Sequence, residues 1–150
     1  MAEHLATVEW TCDGGFRDGR YSRVHRLIFD GGAEVKGSAS PQVVPSPMSD
    51  PEGVDPEEML IASAAACHML WFLHLARDAG LDVAGYRDDA RGTMAKDSAG
   101  GMAITRIVLR PKIAFEGDAP SAQVLERLHH EAHRLCFIAN SLKSEIIVEP

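Results

Sequence analysis

The chain is short of cysteine and of basic charge, and it has no leader-like start. Each shortage excludes something. Three cysteines among 150 residues form an odd, sparse set, which argues against a secreted scaffold held by disulfides. No two of them stand in a CxxC pair. Lys and Arg number 15 against 22 Asp and Glu, for a net charge of −7. That balance leaves no basic face for nucleic acid or an anionic membrane, and neither is expected as a partner. Met1-Ala2-Glu3-His4-Leu5-Ala6 has no basic segment followed by an apolar run, so no signal peptide is read there. A reducing cytoplasm is the expected compartment. The chain also lacks internal repeats and low-complexity tracts.

What is present suits one domain over residues 1–150. Hydrophobic residues make up 45% of the chain, enough for a sizeable core. The run Met59–Ala76 is nearly all apolar and approaches the length of a membrane span. It also carries Ser63, His68 and His74, is rich in alanine, and is flanked by Asp55, Glu57, Glu58 and Asp78. It reads as the central buried helix of a soluble fold.

The first third reads as an antiparallel meander. Strands are expected at Leu5–Trp10, Tyr21–Phe29 and Ala33–Ser38, separated by Asp13-Gly14-Gly15, Asp18-Gly19 and Asp30-Gly31-Gly32. Ser40–Val54 holds Pro41, Pro45, Pro47 and Pro51, too many prolines for a regular element. Val43, Val44 and Met48 make it an apolar loop. It is either a rigid crossover or one wall of a substrate pocket.

Asp55-Pro56-Glu57-Glu58 is a strong helix start. Asp55 can cap, Pro56 suits the first helical position, and Glu58 stands at the capping-box position. The helix should run to Ala79 and stop at Gly80. Val83–Lys96 is a weak strand, and Gly100-Gly101 a turn. Ala103–Phe115 alternates well enough for a further strand. A second helix is expected over Ser121–Ala139, with Leu125, Leu128, Ala132, Leu135 and Ala139 as its apolar stripe and Cys136 beside them. Lys143–Val148 closes as a strand.

The chemistry rests on Cys67, in Ala64-Ala65-Ala66-Cys67-His68, and Cys136, in His133-Arg134-Leu135-Cys136-Phe137. Each alone reads as a small core residue. Together, on two helices that can pack, they can supply a reactive thiol and a resolving partner. Ser63 and Ala64 leave room beside Cys67, while Leu70 and Trp71 offer an apolar wall one turn away. A thiolate needs a positive neighbour, and Arg17, Arg20, Arg23 and Arg26 in the first hairpin are candidates. Glu57 stands ten residues before Cys67, about 15 Å along a straight helix and on another face. It can serve Cys67 only through a bridging group or across a dimer interface. His68 projects about 100° away from Cys67. His129, His133 and Cys136 at i, i+4 and i+7 form a competing constellation that can present two imidazoles and a thiolate to a metal ion. Cys12 reads as structural or incidental.

These residues resemble the OsmC/Ohr family, that is, osmotically inducible protein C and organic hydroperoxide resistance protein. Asp55-Pro56-Glu57-Glu58 followed by Cys67 in an alanine-rich helix is similar to the family's Asn-Pro-Glu helix with its peroxidatic cysteine. Ala132-His133-Arg134-Leu135-Cys136, with Asn140 after it, resembles the helix of the second cysteine. Asp30-Gly31-Gly32-Ala33-Glu34-Val35-Lys36 resembles the early strands. The resemblance implies an α+β fold of antiparallel strands, a long central buried helix and a second amphipathic helix. It implies an intertwined homodimer with two interface sites that reduce small organic hydroperoxides.

By the same resemblance, Cys67 is the attacking thiolate and Cys136 the resolving thiol. Glu57 matches the glutamate that holds the catalytic arginine. Counting back from Asp30-Gly31, Arg23 is the best match for that arginine, with Arg17 and Arg20 as alternates. An external dithiol of lipoyl type would reset the enzyme, with no metal, flavin or other cofactor. Phe137 stands where a proline commonly follows the second cysteine, which marks a divergent branch. Two other classes stay open. One is a metal-binding protein using His129, His133 and Cys136. The other is a non-catalytic dimeric binding protein with an apolar pocket.

Overall fold

Glycine and aspartate at the turns build the N-terminal hairpins. The computed structural model describes residues 1–150, which divide into two compact units, Met1–Met59 and Leu60–Pro150. In the first, strands β1 (Ala6–Glu9), β2 (His25–Phe29) and β3 (Glu34–Gly37) form an antiparallel sheet in chain order. Gly32, at φ +84°, closes the turn between β2 and β3. Its amide donates to the Phe29 carbonyl at 2.9 Å. β2 starts four residues later than expected. Tyr21 is drawn instead into an aromatic cluster with Trp10 and Phe16, ring centroids 5.5 and 4.9 Å away. Arg23 gives its amide to the Met48 carbonyl at 2.8 Å.

The proline-rich loop doubles back onto β3. Val54 bridges Gly37 in parallel, and the buried Ser38 hydroxyl accepts the Asp50 amide at 2.9 Å. Lys36 on β3 pairs with Asp50 and Glu52. At Gly53 a Cβ would lie 2.8 Å from the Ser38 Cβ, so the loop lies too close for any side chain there. The loop is thus a tied crossover within this unit.

The helix start is as its residues dictate. Asp55 Oδ1 accepts the Glu58 amide at 2.7 Å, and Glu58 Oε2 accepts the Asp55 amide at 3.1 Å. That reciprocal pair is a capping box, with Pro56 at the first helical position. Helix α1 runs Pro56–Asp78. Gly80 ends it at φ +76°. The Gly80 and Leu81 amides donate to the Arg77 and Ala76 carbonyls at 2.9 and 3.0 Å, a Schellman stop.

In the second unit α1 meets two small sheets. It is long and apolar enough to cross a bilayer by length and composition. Here it buries a stripe of Ala64, His68, Phe72 and Ala76, spaced four apart as a helix face requires. Strands β4 (Val83–Asp88) and β7 (Pro111–Phe115) pair antiparallel. Strands β5 (Arg91–Lys96) and β6 (Met102–Leu109) do likewise. The two strands expected at Val83–Lys96 and Ala103–Phe115 are therefore four. The break falls where Asp88 Oδ1 takes the Arg110 amide at 2.7 Å and Pro111 has no N–H to give. Gly92 on β5 lets α1 approach closely, since a Cβ there would meet the Ile61 Cδ1 at 2.5 Å.

The second helix also divides. Ser121 caps α2 (Ala122–Leu135), and a short α3 (Phe137–Ser141) follows. Between them Cys136 is extended, at φ −65° and ψ 110°. Strand β8 (Glu145–Val148) then pairs with β6 in parallel, Arg106 opposite Glu145 and Leu109 opposite Val148. A meander cannot give that pairing. The crossover through α2 and α3 returns the chain in the same direction. One core cluster holds Phe72, Ala76, Leu128 and Ala132. A second holds Ala64, Ile107 and Leu109, with Ile138 and Ile146 against it. The expected α+β fold is present, with a parallel pair added to the antiparallel ones.

Candidate active site

Two thiols from distant parts of the chain meet in the second unit. Cys67 sits halfway along α1 and is half-buried, whereas Cys136, between α2 and α3, is buried at 1% exposure. Both are free. Burial pushes the Cys136 thiol up to about 11, and the neighbouring Cys67 adds to the shift. Amides of Ala139 and Ile138 pull the other way, and the Ala139 amide lies 3.4 Å from Cys136 Sγ. The inner thiol therefore holds its proton at neutral pH, and the outer one is partly open to solvent.

The walls are those of α1 and α3. Ser63 donates its hydroxyl proton to the Leu60 carbonyl at 2.8 Å. Trp71, one turn beyond Cys67, meets Phe137 edge-on with centroids 5.5 Å apart. Leu70 and Phe137 stay largely exposed. The exposed side chains near the thiols are thus apolar.

Arg23 and Glu57 belong to the first unit. Arg23 is half-buried, its guanidinium 3.7 Å over the Tyr21 ring and donating to the Gly19 carbonyl at 3.0 Å. Arg17 is exposed, and Arg20 pairs with Asp18 in solvent. Arg26 is held by Glu34 and Glu9. Glu57 is half-buried in the first turn of α1.

The metal alternative fails on geometry. No three His, Cys, Asp or Glu side chains converge on one point. His129 turns into the core, and Cys136 lies past the end of α2, off the helix face that the i, i+4, i+7 spacing assumed.

His129 instead pairs with His68, which sequence reasoning missed. His68 Nε2 and His129 Nδ1 are 3.1 Å apart, the rings are nearly parallel, and Phe72 stacks on His129 with centroids 4.5 Å apart. Burial lowers both to about 4, and for His68 the repulsion a second proton on a neighbouring imidazole would bring adds to the effect. Both are neutral at pH 7. His68 Nδ1 and His129 Nε2 have no partner. A signal did exist, because His68 falls on the same four-residue stripe as Ala64, Phe72 and Ala76.

Comparison with known proteins agrees with this architecture. Residues 49–150 match the model of the OsmC-like protein family, and the chain belongs to that family. An OsmC-like protein of unknown function from Vibrio cholerae O1 biovar eltor is 45% identical, with 99% of each chain covered and a TM-score of 0.97. The organic hydroperoxide resistance protein OhrB of Bacillus subtilis shares the fold at 20% identity, TM-score 0.66, with 97% of this chain and 95% of that one covered. The uncharacterized protein YmaD of the same species is 24% identical over 106 residues, 69% of this chain and 70% of its own length.

Proposed function

We propose that this protein is a thiol-dependent peroxidase for organic hydroperoxides. The observation that carries the reading is the pairing of a half-exposed Cys67 with a buried, protonated Cys136, with the apolar Leu70 and Phe137 exposed on the same helices' neighbouring turns. Membership of a family with hydroperoxide resistance proteins among its structural relatives supports it. Cys67, as thiolate, attacks the O–O bond. The leaving alkoxide takes a proton and departs as an alcohol, and Cys67 becomes a sulfenic acid. Cys136 then condenses with it, releasing water and leaving a Cys67–Cys136 disulfide. An external dithiol, of lipoyl type by family resemblance, reduces that disulfide. Arg23 would steady the thiolate and the charge developing on the leaving oxygen, and Glu57 would orient Arg23. A reducing cytoplasm suits the cycle.

The working unit in this reading is a homodimer. Of the 23 residues of α1, the chain buries only Ala64, His68, Phe72 and Ala76, and Leu70 stays 63% exposed. A helix this apolar needs cover on its remaining faces. Sedimentation should show a species near twice 16.3 kDa, and a stable, active monomer would overturn the dimer. The enzymatic reading is tested by dithiol-dependent turnover of cumene hydroperoxide against hydrogen peroxide. Faster consumption of the organic peroxide is expected. Consumption of neither would instead favour a non-catalytic binding protein.

A further inference from the structure

The two helices that carry the thiols are tied by the buried imidazole pair. His68 follows Cys67 on α1, and His129 lies two turns before Cys136 on α2. Their bond spans the two helices at 3.1 Å, and both side chains are almost fully buried, at 1% and 3% exposure. Apolar contacts in the same cluster, Phe72 and Ala76 with Leu128 and Ala132, give adhesion without direction. A hydrogen bond weakens steeply when its geometry is lost, so it sets the register of one helix on the other.

As a source of stability the pair is a poor choice. One neutral hydrogen bond returns little, and a buried ring nitrogen without a partner costs more. Two such nitrogens are stranded here. A leucine pair would fill similar space with no polar group to desolvate. Buried polar pairs are best attested as register devices, retained at some expense of stability.

We infer that His68 and His129 are positioning residues: their hydrogen bond sets α1 against α2 so that Cys136 stands ready to condense with the oxidised Cys67. This rests on the reading of Cys67 and Cys136 as attacking and resolving thiols. Neither imidazole need touch substrate. The step they govern is formation of the S–S bond with loss of water, not the attack on peroxide. Removing the bond should therefore slow resolution and leave the first attack alone.

The test uses the full chain in three forms: wild type, His68→Leu/His129→Leu and His68→Gln/His129→Asn. The last keeps amide groups near the Nε2 and Nδ1 positions and should restore the bond. Each is treated with one equivalent of cumene hydroperoxide. Cys67 sulfenic acid and the Cys67–Cys136 disulfide are followed by quenched mass spectrometry, and the disulfide is equilibrated with a thiol redox buffer.

The leucine pair should form sulfenic acid within twofold of the wild-type rate and the disulfide at least tenfold more slowly. A tenfold fall in the disulfide's equilibrium constant would raise its potential by about 30 mV. Thermal stability of the leucine pair should equal or exceed that of wild type, and the amide pair should recover the resolving rate. Wild-type resolution in a folded leucine pair overturns the positioning role alone. Absence of the disulfide in the wild type overturns both this inference and the peroxidase reading. Should the leucine pair not fold, the single change His129→Leu carries the same comparison.

Discussion

Cys136 lies buried beside the half-exposed Cys67, and that neighbour adds to the burial that holds its proton in place. The order of the chemistry follows from this asymmetry. In the proposed cycle a peroxide arriving from solvent would reach Cys67 first. Cys136 would be kept as a thiol until its neighbour became an electrophile.

Replacing Cys67 with serine should abolish dithiol-dependent peroxide turnover. The side chains are nearly isosteric and the site is half-buried, so the melting temperature should move little. Full activity in Cys67→Ser would remove Cys67 from the attacking role.

Cys136 should resist alkylation in the folded protein. Its sulfur is inaccessible and its thiol is pushed up to about 11, whereas Cys12 is exposed and Cys67 half-buried. Iodoacetamide near neutral pH should label Cys12 and Cys67, and reach Cys136 only in denaturant. Early labelling of Cys136 would contradict the buried placement.

Stability should fall on mild acidification because of the imidazole pair. His68 and His129 sit at about 4 in the folded chain, against an ordinary value of 6.5. Between those values the unfolded chain binds protons that the folded one refuses. Titration of the pair therefore has no effect above pH 6.5, destabilises the folded chain progressively as pH falls below it, and levels off near pH 4. The full loss is on the order of 3 kcal/mol per imidazole. Asp88, whose carboxyl is raised by burial, works in the opposite sense at the acid end of that window. Urea midpoints should drop between pH of about 7 and about 5. The drop should be much smaller in His68→Leu/His129→Leu, and an equal drop there would assign it to other groups.

The capping box gives a purely structural prediction. Asp55→Ala leaves the Glu58 amide without its cap and should cost about 1 kcal/mol. Asp55→Asn should recover most of it. Equal stability of Asp55→Ala and wild type by urea denaturation would mean that the cap is not what anchors α1.

How far the fold could be read in advance followed the range of the interactions. The start of α1 at Asp55 and its stop at Gly80 are set by residues within one turn, and both were legible. The division of the long strands at Asp88 and Arg110 depends on a carboxylate meeting an amide from a strand distant in sequence. Nothing local announces it. The break at Cys136 has no glycine or proline to mark it, because Phe137 occupies the position where the family commonly has proline. The meeting of Cys67 with Cys136 was visible only as two cysteines on helices that can pack. The histidine pair is hidden because the i, i+4, i+7 spacing sets His129 with His133 and Cys136, although Leu128 beside it belongs to the apolar stripe.

The most direct test of the central claim is to find where the oxidised sulfur goes. Wild-type protein treated with one equivalent of cumene hydroperoxide, quenched and digested without reductant, should yield one dominant cross-linked product by mass spectrometry. It should join the peptides of Cys67 and Cys136 within one chain, and the Cys136→Ser variant should accumulate Cys67 sulfenic and sulfinic acids instead. A disulfide to Cys12, or consumption of peroxide with no disulfide at all, would contradict the account.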